Sequence, residues 1–591
     1  MGSVENVITG NLPIWSSTIQ SKSSAGRGTN SKRQLYGVKK LRDLILDLAV
    51  RGLLVPQDPT DEPASILIEK IAVEKEQLVT QGKIKKQKLL LPLGLEEMAF
   101  GLPVGWRWVR MQDIAIYIQR GKSPKYSDKG KVTVISQKCV QWSGFDLLPA
   151  KYINDDSLSL YKDERFLQSG DLIWNSTGTG TVGRIVAIPE VEKNSLVGDS
   201  HVTIIRAMMS NHDFIKSYLS CPLIQRRIDP AHENAIVSGS TKQVELNTST
   251  VISIPIPLPP LAEQHRIVTK VGELMALCDT LERQQEDSIE AHETLVGVLL
   301  DALTSAVDAD AFQVSWQRIT AHFDVLFTTE HSIRKLKEAI LQLAVMGKLV
   351  PQDPNDEPAT VLLEKIAFEK EQLVKMGILK KTKPLASIIH EDRPFDLPMG
   401  WAWSRLPEIG ELARGKSKHR PRNDPSLYSK GSIPFVQTGD VAKASKIITT
   451  YSTFYNQKGL SQSRLWPAGT MCITIAANIA DTGILGFDSC FPDSVVGFIP
   501  LDKQVQVEYF EYFLRTAKRN LEKFAPSTAQ KNINLEILGS LMVPLPPLFE
   551  LNRIVSKIDE LMALCDQLTK SLQQAQQTQI HLTDAVVENA V

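Results

Sequence analysis

KLRDLILDLAVRGLLVPQDPTDEPASILIEKIAVEKEQLVTQGKIKK (residues 40–86) returns without a gap as KLKEAILQLAVMGKLVPQDPNDEPATVLLEKIAFEKEQLVKMGILKK (335–381), 295 residues later and identical at about two thirds of positions. A repeat of this length governs the reading of everything around it. LPVGWRW (102–108) returns as LPMGWAW (397–403) at the same offset. A third block, IPLPPLAEQHRIVTKVGELMALCDTLE (256–282), returns as VPLPPLFELNRIVSKIDELMALCDQLT (543–569), now offset by 287. Between the second and third blocks the halves have almost nothing in common. Near-identical frames carrying dissimilar inserts of about 150 residues predict a pseudo-twofold scaffold that presents two modules of different specificity.

Within the first block Leu41, Leu44, Ile45 and Leu48 recur at helical spacing up to Gly52, and the prolines at 56, 59 and 63 stop the helix. A second helix starts near Ala64, carries Ile66, Leu67, Ile71 and Leu78, and ends near Gly82 in a basic KIKKQK run. In the third block Ile267, Val271, Leu274, Cys278 and Leu281, and again Ile554, Ile558, Leu561, Cys565, Leu568 and Leu572, recur at steps of four and three. That is a heptad stripe, and two matching stripes in one chain can cover each other as an intramolecular coiled coil. Cys278 and Cys565 fall on the stripe and read as small buried hydrophobes. RQQEDSIEAHE (283–293) reads as a solvated helix face.

The inserts read as short strands between turns: KVTVIS (131–136), GDLIWNSTG (170–178), GRIVAIP (183–189) and HVTIIRA (201–207), then SIPFVQTGD (432–440), GTMCITIAA (469–477) and SVVGFIPL (494–501). The expected fold is α+β, with two mixed, mostly β modules separated by long antiparallel coiled-coil helices. The expected divisions are a disordered tail (1–32), helical segments (33–100 and 331–396), modules (101–258 and 397–546), long helices (259–306 and 547–591) and a linker (307–330).

Composition bounds the function. A chain of 591 residues holds about four structural units. Lys plus Arg (67) equals Asp plus Glu (67), so any polyanion site is a local patch. No stretch has the length and apolarity of a membrane span, and no signal-peptide pattern opens the chain. The six cysteines form no CxxC pair, which fits a reducing compartment and points to neither zinc nor a disulfide framework.

Both modules open with RGKS: Arg120, Gly121, Lys122, Ser123, and Arg414, Gly415, Lys416, Ser417. Lys125, Lys129 and Lys131 follow in the first module; Lys418, His419, Arg420 and Arg422 follow in the second. Cations clustered with Gly and hydroxyl side chains suit phosphate oxygens, where most protein–DNA hydrogen bonds go. GELARGKS (410–417) also matches the phosphate-loop pattern, the basis of an alternative reading as an autonomous ATP-using enzyme acting on nucleic acid. That pattern requires a helix at the lysine, and Pro421 opposes one; the repeat has Ile116 at the first glycine. TGTGTVG (177–183) precedes a strand-like RIVAIP and fails as a dinucleotide fingerprint. No base-methylation loop, HExxH, EF-hand or nucleophile elbow is present, and the ten histidines do not gather at ligand spacing.

The modules introduced by LPVGW and LPMGW, each closed by PLPPLAEQHRIV or PLPPLFELNRIV running into a long helix, resemble the specificity subunit of type I restriction-modification systems. The resemblance covers residues 33–591, and the long first block is similar to that of the long-chain branch. It implies two target-recognition domains, each reading half of a split, asymmetric target on double-stranded DNA, held apart by an antiparallel helical spacer. It implies a non-catalytic chain that binds no cofactor or metal and assembles with two adenine-N6 methyltransferase subunits and two motor-nuclease subunits. S-adenosylmethionine, ATP and Mg belong to those partners. A cytoplasmic location in a bacterium or archaeon follows. For the repeated helical pair the expected contact is the methyltransferase, because 64–82 balances Lys with Glu, unlike a DNA-facing surface. The DNA-contact candidates are Arg120, Lys122, Ser123, Lys125, Arg414, Lys416, Ser417, Lys418, Arg420 and Arg422, with Gln243 and Gln530 of the matched TKQ and TAQ turns as shared framework contacts. Base readout falls to Arg, Lys, Gln and Asn of the divergent loops, which can reach the major-groove edge.

Overall fold

A computed structural model of the chain describes residues 2–22, 32–240, 243–379, 385, 387–389, 391, 393–419, 421–476, 479–523 and 533–590. Its helical frame comprises α1 (Gly2–Thr9), α2 (Leu12–Ser17), α3 (Tyr36–Val50), α4 (Ala64–Thr80), α5 (Leu261–Thr304), α6 (Ala309–Ala321), α7 (Glu330–Val345), α8 (Ala359–Lys375) and α9 (Leu548–Glu588). The chain forms two compact units, residues 1–288 with 575–591, and residues 289–574.

In the first unit the α5 stripe of Ile267, Val271, Leu274 and Cys278 packs on Val38, Leu41, Ile45 and Leu48 of α3, with Val586 and Val587 of α9 against the same core. In the second unit Cys565, Leu561, Leu568 and Leu572 of α9 join Ile333, Ile340 and Leu343 of α7, together with Val296, Leu300 and Leu303 of α5. Within the first unit the last turns of α9 thus meet the first half of α5, and within the second the last turns of α5 meet residues 561–572 of α9. The stripes do not simply cover each other as expected. A heptad repeat states that one helix face will be buried, and the amphipathic α3 and α7 supply most of the cover. Burial of each such Leu or Ile contributes about 1.5–3 kcal/mol.

The described residues of the expected tail and of the expected linker form regular elements. The N-terminal stretch, anticipated as a disordered tail, forms α1, α2 and a strand Ile19–Lys22 paired with Lys32–Leu35. Ile8 and Trp15 enter the α3–α5 core, and the Trp15 indole donates to the Ile8 carbonyl. Thr18 and Thr583 share a buried 2.9 Å hydroxyl contact, and Asp584 of α9 takes Lys40 at 2.6 Å and the Tyr36 hydroxyl at 2.8 Å. The polar run SSTIQSKSSAGRGTNSK (16–32) that follows Ile8 and Trp15 concealed these two apolar anchors. The 307–330 linker is likewise helical through α6, capped by Asp308 on the Ala311 amide, and Ile319, Leu326 and Phe327 are buried.

The three repeated blocks converge. Gly52 ends α3 at φ +71°, where a Cβ would meet Pro103 and Trp106; Gly347 ends α7 at φ +69° against Pro398 and Trp401. The Trp106 indole donates to Glu263 at 3.0 Å, and Gln57 donates to the other oxygen at 2.6 Å. Gln352 makes the matching bond to Glu550 at 3.3 Å. Each half therefore fastens its first helix, its Trp motif and its long helix at one point.

Module 1 enters on β1 (Arg107–Arg110), builds β2 (Ala115–Arg120), β3 (Leu172–Asn175), β4 (Ile185–Ala187), β5 (Val202–Ala207), β6 (Ser238–Ser240) and β7 (Gln243–Glu245), and leaves on β8 (Pro255–Leu258). β8 pairs antiparallel with β1, Pro257 opposite Trp108. Its main sheet runs β4-β3-β5-β2, all antiparallel. Module 2 has β9 (Ala402–Arg405), β10 (Gly410–Arg414), β11 (Met471–Thr474), β12 (Thr482–Leu485), β13 (Val495–Pro500) and β14 (Met542–Leu545). β14 closes on β9 with Pro544 opposite Trp403. The sheet runs β10-β13-β11-β12, with Ile447–Ile448 added parallel to β12. Two sequences without visible similarity thus share a four-strand antiparallel order.

Candidate nucleic-acid interface

The shared RGKS lies where β2 and β10 end. The Gly121 amide donates to the Val202 carbonyl at 3.0 Å, and the Gly415 amide to that of Val495 at 2.9 Å. A Cβ on Gly121 would sit 2.0 Å from the Asp199 carbonyl oxygen, and one on Gly415 would sit 2.3 Å from that of Phe491. The glycine is kept by a close chain crossing, and the crossing fixes the flanking cations at a corner of each sheet.

In module 1 Arg120 turns toward the β6–β7 hairpin and binds Glu245 at 2.5 Å, so its charge is spent holding that hairpin. Lys122 lies 5.7 Å from the centre of the Tyr161 ring. Ser123 bonds the Ser200 hydroxyl at 2.8 Å. Lys125 is exposed, and its carbonyl accepts from the Asn154 amide. Gln243 is in β7, in register with Ser240. The loop after β3 lies beside that hairpin: Thr177 bonds His201 at 2.7 Å, and the Leu246 amide donates to the Ser176 carbonyl. Gly178 (φ +103°) and Gly180 (φ +80°) give this loop its shape, so the TGTGTVG run is a turn beside the hairpin. Burial pushes the Asp199 carboxyl above its ordinary range; it accepts from Tyr126 and from the His201 amide.

In module 2 Arg414, Lys416 and Lys418 are exposed. Ser417 is nearly buried. The amides of Lys418 and His419 donate to Gln462, which orders the loop. Arg422 is held by Asp493 at 2.7 Å. His419 binds Asp424 at 2.6 Å. The amide and hydroxyl of Ser426, then His419, hold the Asp424 carboxyl down at about 2. Arg420 and Gln530 lie outside the described residues.

Lys125, Arg414, Lys416 and Lys418 form no ion pair among the described residues. The fixed cations Arg120 and Arg422 have structural carboxylate partners. GELARGKS is strand β10 followed by a loop, with no helix at Lys416, which removes the geometry a phosphate loop requires. Among the described residues no His, Cys, Asp and Glu cluster could hold a metal ion. All six cysteines are buried and unpaired, and burial raises the Cys278 thiol to about 11. No described helix is long and apolar enough to cross a membrane.

The model of the type I restriction modification DNA specificity domain matches residues 103–291 and 398–577. The chain is 37% identical over 613 residues to the type I restriction enzyme EcoEI specificity subunit of Escherichia coli, covering all of both chains. It is 37% identical over 612 residues to the EcoAI specificity subunit of the same organism, again over the full length of both. The crystal structure of the HsdS subunit from Thermoanaerobacter tengcongensis aligns over 84% of this chain and 99% of that one, at 18% identity and a TM-score of 0.41.

Proposed function

Because the chain belongs to the type I restriction-modification DNA specificity family, we propose that each module reads one half of a split, asymmetric DNA target and directs adenine-N6 methylation or restriction by partner subunits. The observation that carries this reading is the pairing of near-identical frames with divergent modules, which carry exposed cations, Lys125 in one and Arg414, Lys416 and Lys418 in the other, that form no ion pair among the described residues. These cations grip phosphate and position the duplex, and the dissimilar loops beside them read base edges.

The chain acts by placement. It holds duplex DNA against two methyltransferase subunits that carry S-adenosylmethionine, with two motor-nuclease subunits supplying ATP-driven, Mg-dependent work. The chain contributes no catalytic residue, and the complex operates in the cytoplasm of a bacterium or archaeon. Sequencing of methylated adenines in a host carrying the complete system tests the reading: a two-part motif with a fixed gap supports it, and a continuous motif opposes it.

A further inference from the structure

We infer that the third residue of one tight turn in each module, His201 in module 1 and Ser494 in module 2, touches a base edge and sets one letter of that module's half-target. The inference rests on the reading proposed above and adds the residues. The turn leads into β5 as Asp199–Val202 and into β13 as Pro492–Val495. In register the two sequences share only the valine.

The backbone around the turn is nonetheless bonded the same way in both modules. The Val202 amide donates to the Asp199 carbonyl, and the Val495 amide to that of Pro492. On one side the Gly121 and Gly415 amides of RGKS reach the carbonyls of Val202 and Val495. On the other the Ser176 amide donates to the His201 carbonyl at 2.9 Å, and the Ile475 amide to that of Ser494 at 3.0 Å. The Leu246 and Ile533 amides then donate to the carbonyls of Ser176 and Ile475. These last donors are 287 residues apart, the offset of the third repeated block. Matched bonds thus seat one turn in each module between RGKS and the loop that follows β3 or β11.

One side chain of each turn is left free of the fold. Asp199 and Pro492 are buried. Ser200 bonds Ser123 at 2.8 Å, and Asp493 holds Arg422 at 2.7 Å. Val202 and Val495 enter the cores of their sheets. His201 is exposed, and the Thr177 hydroxyl meets its Nδ1 at 2.7 Å, which aims the ring. Its Nε2 makes no hydrogen bond among the described residues, and neither does the Ser494 hydroxyl. Ala476 stands where Thr177 does, directly after the matched Ile475.

What these side chains touch follows from what the modules share. Lys122 and Lys416 are common to both and suit phosphate, which is the same in every sequence. A contact common to both modules cannot make their half-targets differ. At the turn the backbone is kept while imidazole gives way to hydroxyl, the pattern expected of a position that specifies. With the Thr177 hydroxyl donating to Nδ1, Nε2 carries the proton and donates. Its partner is then a major-groove acceptor: N7 or O6 of guanine, N7 of adenine or O4 of thymine. The Ser494 hydroxyl both donates and accepts, so it suits an edge of either kind.

The full-length chain is assembled with its methyltransferase subunits, and the target is taken from the methylated motif of the native system. Fluorescence anisotropy then compares that target with every single-base variant of both half-targets. His201→Ala should cut discrimination about tenfold at one base pair of one half-target, the size of one lost base contact, and leave the other positions unchanged. Ser494→Ala should do the same at one base pair of the other half-target. Discrimination is a ratio of one protein's affinities for two DNAs, so a partial loss of folding does not move it. Equal weakening on all sequences, with the salt slope lowered by about one, would place these residues on phosphate and overturn the inference. Discrimination unchanged at every position would overturn it too. A native system with no two-part motif would instead overturn the reading beneath it.

Discussion

Asp61, in the loop before α4, and Arg266, in the second turn of α5, form a two-pronged ion pair at 2.6 and 3.2 Å, and Asp356 and Arg553 repeat it at 2.6 and 3.4 Å. The carboxylates are 9% and 7% exposed, so each is closed off behind its arginine. Arg266→Ala strands Asp61 and should cost about 2 kcal/mol, whereas Arg266→Ala with Asp61→Ala should cost less than the sum of the singles. Denaturant unfolding of the three variants checks this, and strict additivity would contradict the pairing.

Gly121→Ala and Gly415→Ala should each destabilise their module by roughly 2 kcal/mol or more, because the added methyl meets backbone carbonyls that have no rotamer by which to yield. Calorimetry should show the loss, and weakened DNA binding should follow from it. Gly439→Ala, where a Cβ meets nothing within 4 Å, is the matched control.

Lys416→Ala should weaken binding to every sequence alike and lower the salt slope by about one. Arg422→Ala should change the slope less, because Asp493 already neutralises that charge. Fluorescence anisotropy across a salt series separates the two, and a changed base preference at an unchanged slope would speak against phosphate contact by Lys416.

Asp424 titrates at about 2 in the fold against an ordinary 3.8, so its contribution is present above pH 3.8 and is lost as pH falls toward 2. Asp424→Asn should therefore be less stable than the native chain at pH 7, and the gap should close between about pH 4 and 2. Paired unfolding curves at pH 7 and pH 3 check the sign. A gap that widens at low pH would contradict it.

The frame was legible because duplication supplies an internal comparison: positions retained 295 residues apart, such as Gly52 and Gly347, mark where the chain turns and packs. Where no second copy exists, legibility fell. Trp15 and Ile8 lie in helices too short for a helical period to declare itself, ahead of a polar run, yet they enter a core. The heptad stripe announced a buried face of α5 but not that α3 would cover it, since periodicity encodes amphipathicity and not the partner. At the candidate site the recurrence of RGKS has a structural cause. Its glycine answers to the crossing at Asp199, and Arg120 answers to Glu245. The shared sheet order was invisible because strand pairing leaves only alternation in the sequence, and fully buried strands such as β3 and β11 lack even that.

The proposed function places two independent readers on one frame. Its most direct test replaces residues 104–255, which run from just before Trp106 to the first residue of β8, with the corresponding module of another family member, followed by sequencing of methylated adenines in a host carrying the hybrid system. The account predicts a motif with one half-target exchanged, the other half-target intact and the gap unchanged. A hybrid that alters both half-targets, or neither, would contradict it.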